Sequence, residues 1–189
     1  MTKNIPTYNF KSIPIEKIDL DDRLTSFSLG PPADSLQQSI EEVGVIHPVT
    51  LVPTGDRFRV VCGHRRVKIS LVIKTNEIPA RILDSAMSDE SMLMLNLSEN
   101  QAHHHYSDIE KGLILAKFLE IKVPFSRILE EYMPMLSLER SKKLLDDYPN
   151  VSQLTPGLQT LLHEMNVPLR TFSVFFRWDA ESTQAAERF

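Results

Sequence analysis

The chain has 189 residues, 42% hydrophobic and 24% charged, which is enough apolar material for one large core or two small ones. No apolar run approaches the roughly 18 residues of a membrane span, the N-terminus lacks a secretory hydrophobic region, and one cysteine, Cys62, cannot form an internal disulfide, so a cytoplasmic protein is expected. The net charge of −4 argues against broad nonspecific nucleic-acid binding, which depends on clustered Lys and Arg.

Residues 1–12 read as a flexible arm and residues 13–100 as a small α/β domain with a mixed sheet. Asp34 opens a helix in which Leu36, Ile40 and Val43 share a face and which Gly44 stops. Val49–Val52 and Phe58–Cys62 flank Pro53-Thr54-Gly55-Asp56, a turn sequence, and predict a hairpin. A mostly buried helix is predicted from Arg65 to Lys74, and Ile78–Leu83 predicts another strand. Met87–Leu97 reads as a helix with Asp89 and Glu90 in its first turn and with Met87, Met92 and Met94 as core filler.

Gly63-His64-Arg65-Arg66 lies where the second hairpin strand meets the next helix. A glycine there lets backbone approach a ligand, a helix start presents free N–H groups, and guanidinium forks suit phosphate. From Arg57 to Lys68 there are five Lys or Arg residues and no acid. The alternative is that Arg65 and Arg66 decorate a solvated helix start. Glu99-Asn100 follows 33 residues after Arg66, at the end of the Met-rich helix. An acid there opposes the helix dipole, which favours a ligand role for Glu99. His103-His104-His105 reads as a polar linker, because consecutive histidines do not converge on one metal as helical i, i+4 pairs do.

Residues 101–189 read as an all-helical domain. Ser107-Asp108-Ile109-Glu110 is a capping-box signature that opens a helix to Ile121. Phe125–Tyr132 predicts a second helix, Met133-Pro134-Met135-Leu136 a turn, and Ser137–Tyr148 a third helix whose cap and first turn are Ser137-Leu138-Glu139-Arg140. This helix-turn-helix, about 125–148, carries Arg140, Lys142 and Lys143, offset by Glu139, Asp146 and Asp147. An ordinary helical hairpin is the competing reading. A further helix is predicted around Leu158–Met165. Phe172, Phe175, Phe176 and Trp178 suggest burial against the helical half or a partner.

In the order and spacing of these segments, roughly residues 10 to 165, the chain resembles the ParB family of partition proteins. Gly63, Arg65 and Arg66 match its Gly-Glu-Arg-Arg box, with His64 in place of the glutamate. Glu99 and Asn100 match its Glu-Asn-x-Gln-Arg box, with Ala102 and His103 in place of the glutamine and arginine. Ile13-Pro14-Ile15-Glu16-Lys17-Ile18 is similar to its first strand, Asp34–Gly44 to its first helix and Ile46-His47-Pro48-Val49 to its strand entry. Asp21-Asp22-Arg23-Leu24-Thr25-Ser26-Phe27 departs from its Asn-Pro-x-Gln-Pro-Arg stretch. The family's usual C-terminal dimerisation domain is not visible, as in a truncated chain or a short relative.

The resemblance implies an α+β protein: a small mixed-sheet domain of the ParB/sulfiredoxin type, then a helical domain with a helix-turn-helix. It implies CTP with Mg²⁺, the phosphates held by Gly63, His64, Arg65 and Arg66, the metal by Glu99 and Asn100, and His103 touching the nucleotide. It implies DNA as partner, read by Arg140, Lys142 and Lys143, a homodimer that closes around DNA and is released by CTP hydrolysis, a partition ATPase, and association with nucleoid or plasmid. Two alternatives stand beside it. One is a DNA-binding scaffold with a decayed nucleotide pocket. The other is a small ATP- or ADP-using enzyme on the same fold, either a reductase, since Cys62-Gly63-His64-Arg65 resembles the Gly-Cys-His-Arg motif of sulfiredoxin, or a free-amino-acid kinase.

Overall fold

A computed structural model describes residues 7–30, 34–84, 86–101 and 105–168. The chain divides into two compact units, one of residues 1–26 with 31–99, the other of residues 27–30 with 100–189.

The first unit contains the expected mixed sheet, four strands in the order β1-β4-β2-β3. Strands β2 (Val49–Thr54) and β3 (Arg57–Cys62) form the expected antiparallel hairpin, turned at Gly55 with φ +61°. Strand β4 (Glu77–Leu83) runs parallel to β2, reached through helix α2 (His64–Val72). Strand β1 (Tyr8–Pro14) pairs antiparallel with β4 from Tyr8↔Leu83 to Pro14↔Glu77. Two expectations are corrected here. Within the arm, Tyr8 to Ser12 is strand. Only Ile13 and Pro14 of the anticipated Ile13–Ile18 strand extend it, since Ile15–Lys17 is a 3₁₀ turn. The core still takes Ile13, Ile15 and Ile18, with Val49, Leu51, Val60, Val67, Ile78 and Ala80. Burial at these positions follows the sheet face and the turn together, which a single strand period does not describe.

Strand β3 is an edge, and an edge leaves backbone groups unpaired. The segment before helix α1 (Asp34–Val43) covers it. Asp19 donates its N–H to the Phe58 carbonyl at 2.7 Å and Thr25 Oγ1 donates to the Val60 carbonyl at 2.6 Å. A register shift places Val61 as an extra residue opposite the Thr50–Leu51 step. Its carbonyl accepts from Asn96 Nδ2 at 2.6 Å, on helix α3 (Asp89–Asn100). Asn96 is buried and also donates to the Thr25 carbonyl at 3.4 Å, so it clamps α3, the bulge and the covering segment together.

In the second unit, helix α4 (Asp108–Glu120) opens with the expected capping box: Ser107 Oγ accepts from Glu110 N–H, and the Glu110 carboxylate accepts from Ser107 N–H. Phe118 stacks on Tyr132 with ring centroids 4.1 Å apart. The second helix runs further than the sequence predicts. Helix α5 (Phe125–Arg127) passes through a π turn (Ile128–Tyr132) into α6 (Met133–Met135), so Met133-Pro134-Met135 is helical and not a turn. Pro134 lacks an N–H and crowds the carbonyl four residues back; the wider π turn before it removes that conflict. The third helix is shorter. Ser137 takes φ +57° and breaks the path, and α7 (Lys142–Asp147) starts only after Ser141, whose Oγ accepts from Leu144 N–H at 3.3 Å. A 3₁₀ helix (Tyr148–Gln153) and helix α8 (Pro156–Glu164), capped by Thr155, complete the unit. Among the described residues no helix is long and apolar enough to cross a membrane. The aromatic run from Phe172 to Trp178 lies outside them.

Candidate functional site at the junction of β3 and α2

Strand β3 ends in three buried residues, Val60, Val61 and Cys62, and the chain then turns at Gly63 with φ +101°. L side chains rarely adopt that φ, and a Cβ at Gly63 would lie 2.8 Å from Val49 Cγ1 and 3.0 Å from Arg66 Nη2. The Gly63 carbonyl accepts from Val67 N–H at 3.1 Å, which starts α2, and no side chain caps the helix. The positive end of α2 is therefore presented by His64, Arg65 and Arg66.

Charges around that end are unbalanced. Lys68 is lowered below its usual range by burial, then by Arg23 and Arg65. His64 is lowered to about 4, first by burial and then by Lys68; Asp22 opposes the shift and Arg23 adds to it. Asp22 is already engaged: Arg59 Nε meets its Oδ2 at 2.7 Å, and Arg59 Nη1 meets Asp89 Oδ1 at 2.7 Å. Burial pushes the Asp22 carboxyl up, but Arg59 and the Leu24 N–H outweigh it and hold it below the carboxylate norm. The result is a cluster of Arg23, Arg65, Lys68 and neutral His64, and Asp22, the acid that acts on His64, is spent on Arg59. His64 Nε2 and Arg65 Nε are buried without a hydrogen-bond partner. Arg65 Nε is a donor, and so is His64 Nε2 in the tautomer that carries its proton there; buried donors without partners are uncommon, and an anion with several acceptor oxygens would satisfy them.

Arg66 is used differently. Its Nη1 donates to the His47 carbonyl and, at 2.9 Å, to the Pro48 carbonyl, which pins the entry to β2. Burial lowers its pKa, and the Glu99 carboxylate works against that. Glu99 accepts from Arg81 Nη2 and from Thr50 Oγ1 at 3.3 Å, and Arg81 Nε donates to Thr50 Oγ1 at 2.7 Å. The fold thus brings Glu99 of the second box into the charge field of Arg66 of the first. Asn100 is the last residue of α3. His103 lies outside the described residues. Arg140, Lys142 and Lys143 are exposed in the second unit, Arg140 beside Glu130 at 3.3 Å and the two lysines in the first turn of α7.

Cys62 is 1% exposed and its thiol is pushed well above the usual range, by burial first and then by Glu99. Thiolate chemistry needs the opposite shift, so Cys62 is not an activated nucleophile. Glu99 stands where the resemblance implies magnesium, an ion that takes six oxygens, commonly from one or two carboxylates together with phosphate and water. Its Oε2 already carries a guanidinium and a hydroxyl, and no group of three His, Cys, Asp or Glu converges among the described residues.

Sequence reasoning missed Thr50, Arg81 and Asn96. The available signal was a polar residue inside an apolar stretch: Arg81 within Ile78–Leu83, Asn96 between Leu95 and Leu97. Such a residue asks for a partner without naming it.

Three similarities bear on this chain. It is 29% identical over 132 residues to a protein described as a probable chromosome-partitioning protein ParB of Coxiella burnetii, covering 69% of this chain and 43% of that protein. The N-domain of a pNOB8-like ParB shares the fold at a TM-score of 0.53, with 19% identity over 92% of this chain and 82% of that one. A C-terminally truncated chromosome-partitioning ParB of Caulobacter crescentus, complexed with CTP-γ-S, gives a TM-score of 0.45 with 18% identity over 96% of this chain and 93% of that one. The chain spans less than half the length of the curated relatives it matches. The model of the ParB N-terminal domain matches residues 2–101, more than half of the chain, which therefore belongs to the ParB N-terminal domain family.

Proposed function

We propose that this chain acts in chromosome or plasmid partition as a DNA-binding protein governed by a nucleotide seated at the β3–α2 junction. The observation that carries this reading is the uncompensated cluster at the start of α2: Arg23, Arg65 and Lys68 beside a neutral His64, with the Arg65 Nε and His64 Nε2 unpartnered. A phosphate chain supplies the missing negative charge and the missing acceptors. Gly63 allows the approach of backbone to that phosphate, His64 and Arg65 contact it, and Arg66 fixes the β2 entry behind it. CTP is the nucleotide that the family resemblance implies. The second unit supplies Arg140, Lys142 and Lys143 for DNA phosphates, and a ligand-dependent homodimer and a partition ATPase complete the assembly.

Isothermal titration of CTP, ATP, GTP and UTP into wild type and Arg65→Ala tests the reading. CTP binding weakened about tenfold or more by Arg65→Ala is expected, the loss of one charge-assisted bond. A folded protein that takes up no nucleotide, with or without DNA, overturns it. The tie of Arg66 to the His47 and Pro48 carbonyls favours a second reading, a DNA-binding scaffold whose junction is purely structural. That reading expects DNA binding without any nucleotide effect.

A further inference from the structure

Three strands place one residue each in a row. Arg81 on β4 is opposite Thr50 on β2, and Thr50 is opposite Cys62 on β3, the residue before Gly63. Adjacent strands are about 4.8 Å apart, so Arg81 stands two strands, roughly 10 Å, from the glycine junction. The bonds from Arg81 to Thr50 and Glu99, and from Thr50 to Glu99, show that these side chains share one face with the end of α3. The side chains of Arg81 and Glu99 are each 28% exposed, so solutes reach them.

Arg81 spends Nε on Thr50 and Nη2 on Glu99, and its guanidinium lies 5.2 Å from the centre of the Tyr8 ring. No hydrogen bond joins Nη1 to a described residue, and the side chain is 28% exposed, so this donor is open to solvent or to a ligand. Guanidinium stays charged at every accessible pH, so Glu99 has a permanent counterion. A divalent cation at Glu99 would either displace that counterion from Oε2 or, on Oε1, sit beside both Arg81 and Arg66. Leaving a half-buried charge unpaired is unfavourable, and so is crowding like charges.

We propose that Arg81 does the work of a divalent metal: it neutralises Glu99 and offers Nη1 to a ligand phosphate, so that this chain binds a nucleoside triphosphate without magnesium. The inference rests on the nucleotide reading above and adds to it a positioning residue in a place where the resemblance implies a metal.

The test is calorimetric titration of CTP into the full chain, once with magnesium and once with EDTA, for wild type, Arg81→Leu and Arg81→Lys, each checked by circular dichroism. Wild-type affinity is expected to differ by less than about threefold between the two buffers. Arg81→Leu is expected to lose about tenfold or more in EDTA and to recover when magnesium is supplied, because Glu99 is then open to it. Arg81→Lys keeps the charge without the fork, and falls between the two in EDTA. Wild-type binding that vanishes in EDTA overturns the proposal while leaving the nucleotide reading intact. Arg81→Leu binding as tightly as wild type in EDTA overturns it too. Absence of CTP binding in either buffer overturns the nucleotide reading, and this inference with it. Should Arg81→Leu not fold, wild type and Arg81→Lys decide the matter, since loss of binding in EDTA by both is incompatible with Arg81 acting as the cation.

Discussion

At the scale of single residues, His64 shows how surroundings choose a protonation state. Burial and the neighbouring Lys68 lower its pKa from 6.5 to about 4, so the ring is neutral in the folded chain at neutral pH. Between those two values the unfolded chain binds more protons than the folded one. Stability tied to His64 is therefore fully present above pH 6.5 and is lost as pH falls toward 4. Going from pH 7 to pH 4.5, wild type should lose about 2 kcal/mol more than His64→Gln. Urea unfolding of both proteins at the two pH values checks this, and parallel losses would sink it. The position of His64 and Arg65 at a strand-to-helix junction could be read from the sequence because a glycine between a β-branched run and a helical one marks the place. The Thr50–Arg81–Glu99 group could not. Thr50 and Glu99 are 49 residues apart, and their meeting is set by strand register and by where α3 ends, neither of which leaves a local pattern.

At the scale of elements, legibility followed amphipathic period and turn chemistry. The hairpin, α1, α2, α3 and the capped start of α4 carried such signals. Strand β1 did not: as an edge strand its middle residues, Asn9 to Ser12, are all exposed, and no alternation marks it. The break at Ser137 was equally hidden, since a left-handed serine is a tertiary choice. Gly112 in α4 makes the same point as an experiment. Alanine is the better helix former by about 1 kcal/mol. A Cβ at Gly112, however, would sit 2.5 Å from the Tyr148 carbonyl oxygen and 2.7 Å from Val151 Cγ2, where the 3₁₀ helix crosses. Backbone cannot swing aside as a flexible side chain can. Gly112→Ala should destabilise by about 1–3 kcal/mol despite its better propensity. Thermal unfolding measures this, and an unchanged or higher midpoint would refute the close packing of α4 on the 3₁₀ helix.

At the scale of the whole molecule, the chain passes between its two units three times, after residue 26, after residue 30 and after residue 99. Residues 27–30 belong with the helical unit: Phe27 is buried, and the Leu29 N–H donates to the Glu110 carboxylate at 3.2 Å. A protease site inserted between Gln101 and Tyr106 should therefore nick the protein without dividing it. Two bands are expected on a denaturing gel and one peak in size-exclusion chromatography; two peaks after cutting would show that residues 27–30 do not hold.

The same four residues bear on how the protein is made. Synthesis runs from the N-terminus, and segments fold as they emerge. Leu29 leaves the ribosome 81 residues ahead of Glu110; β1 precedes it, and β2, β3 and β4 are translated in that interval, so the whole sheet is made before Glu110 emerges. A piece of the helical unit is thus already fixed at both ends to a sheet that can form first. When α4 emerges, it assembles on a tether waiting in place, so the order of translation sets the order in which the two units can be completed.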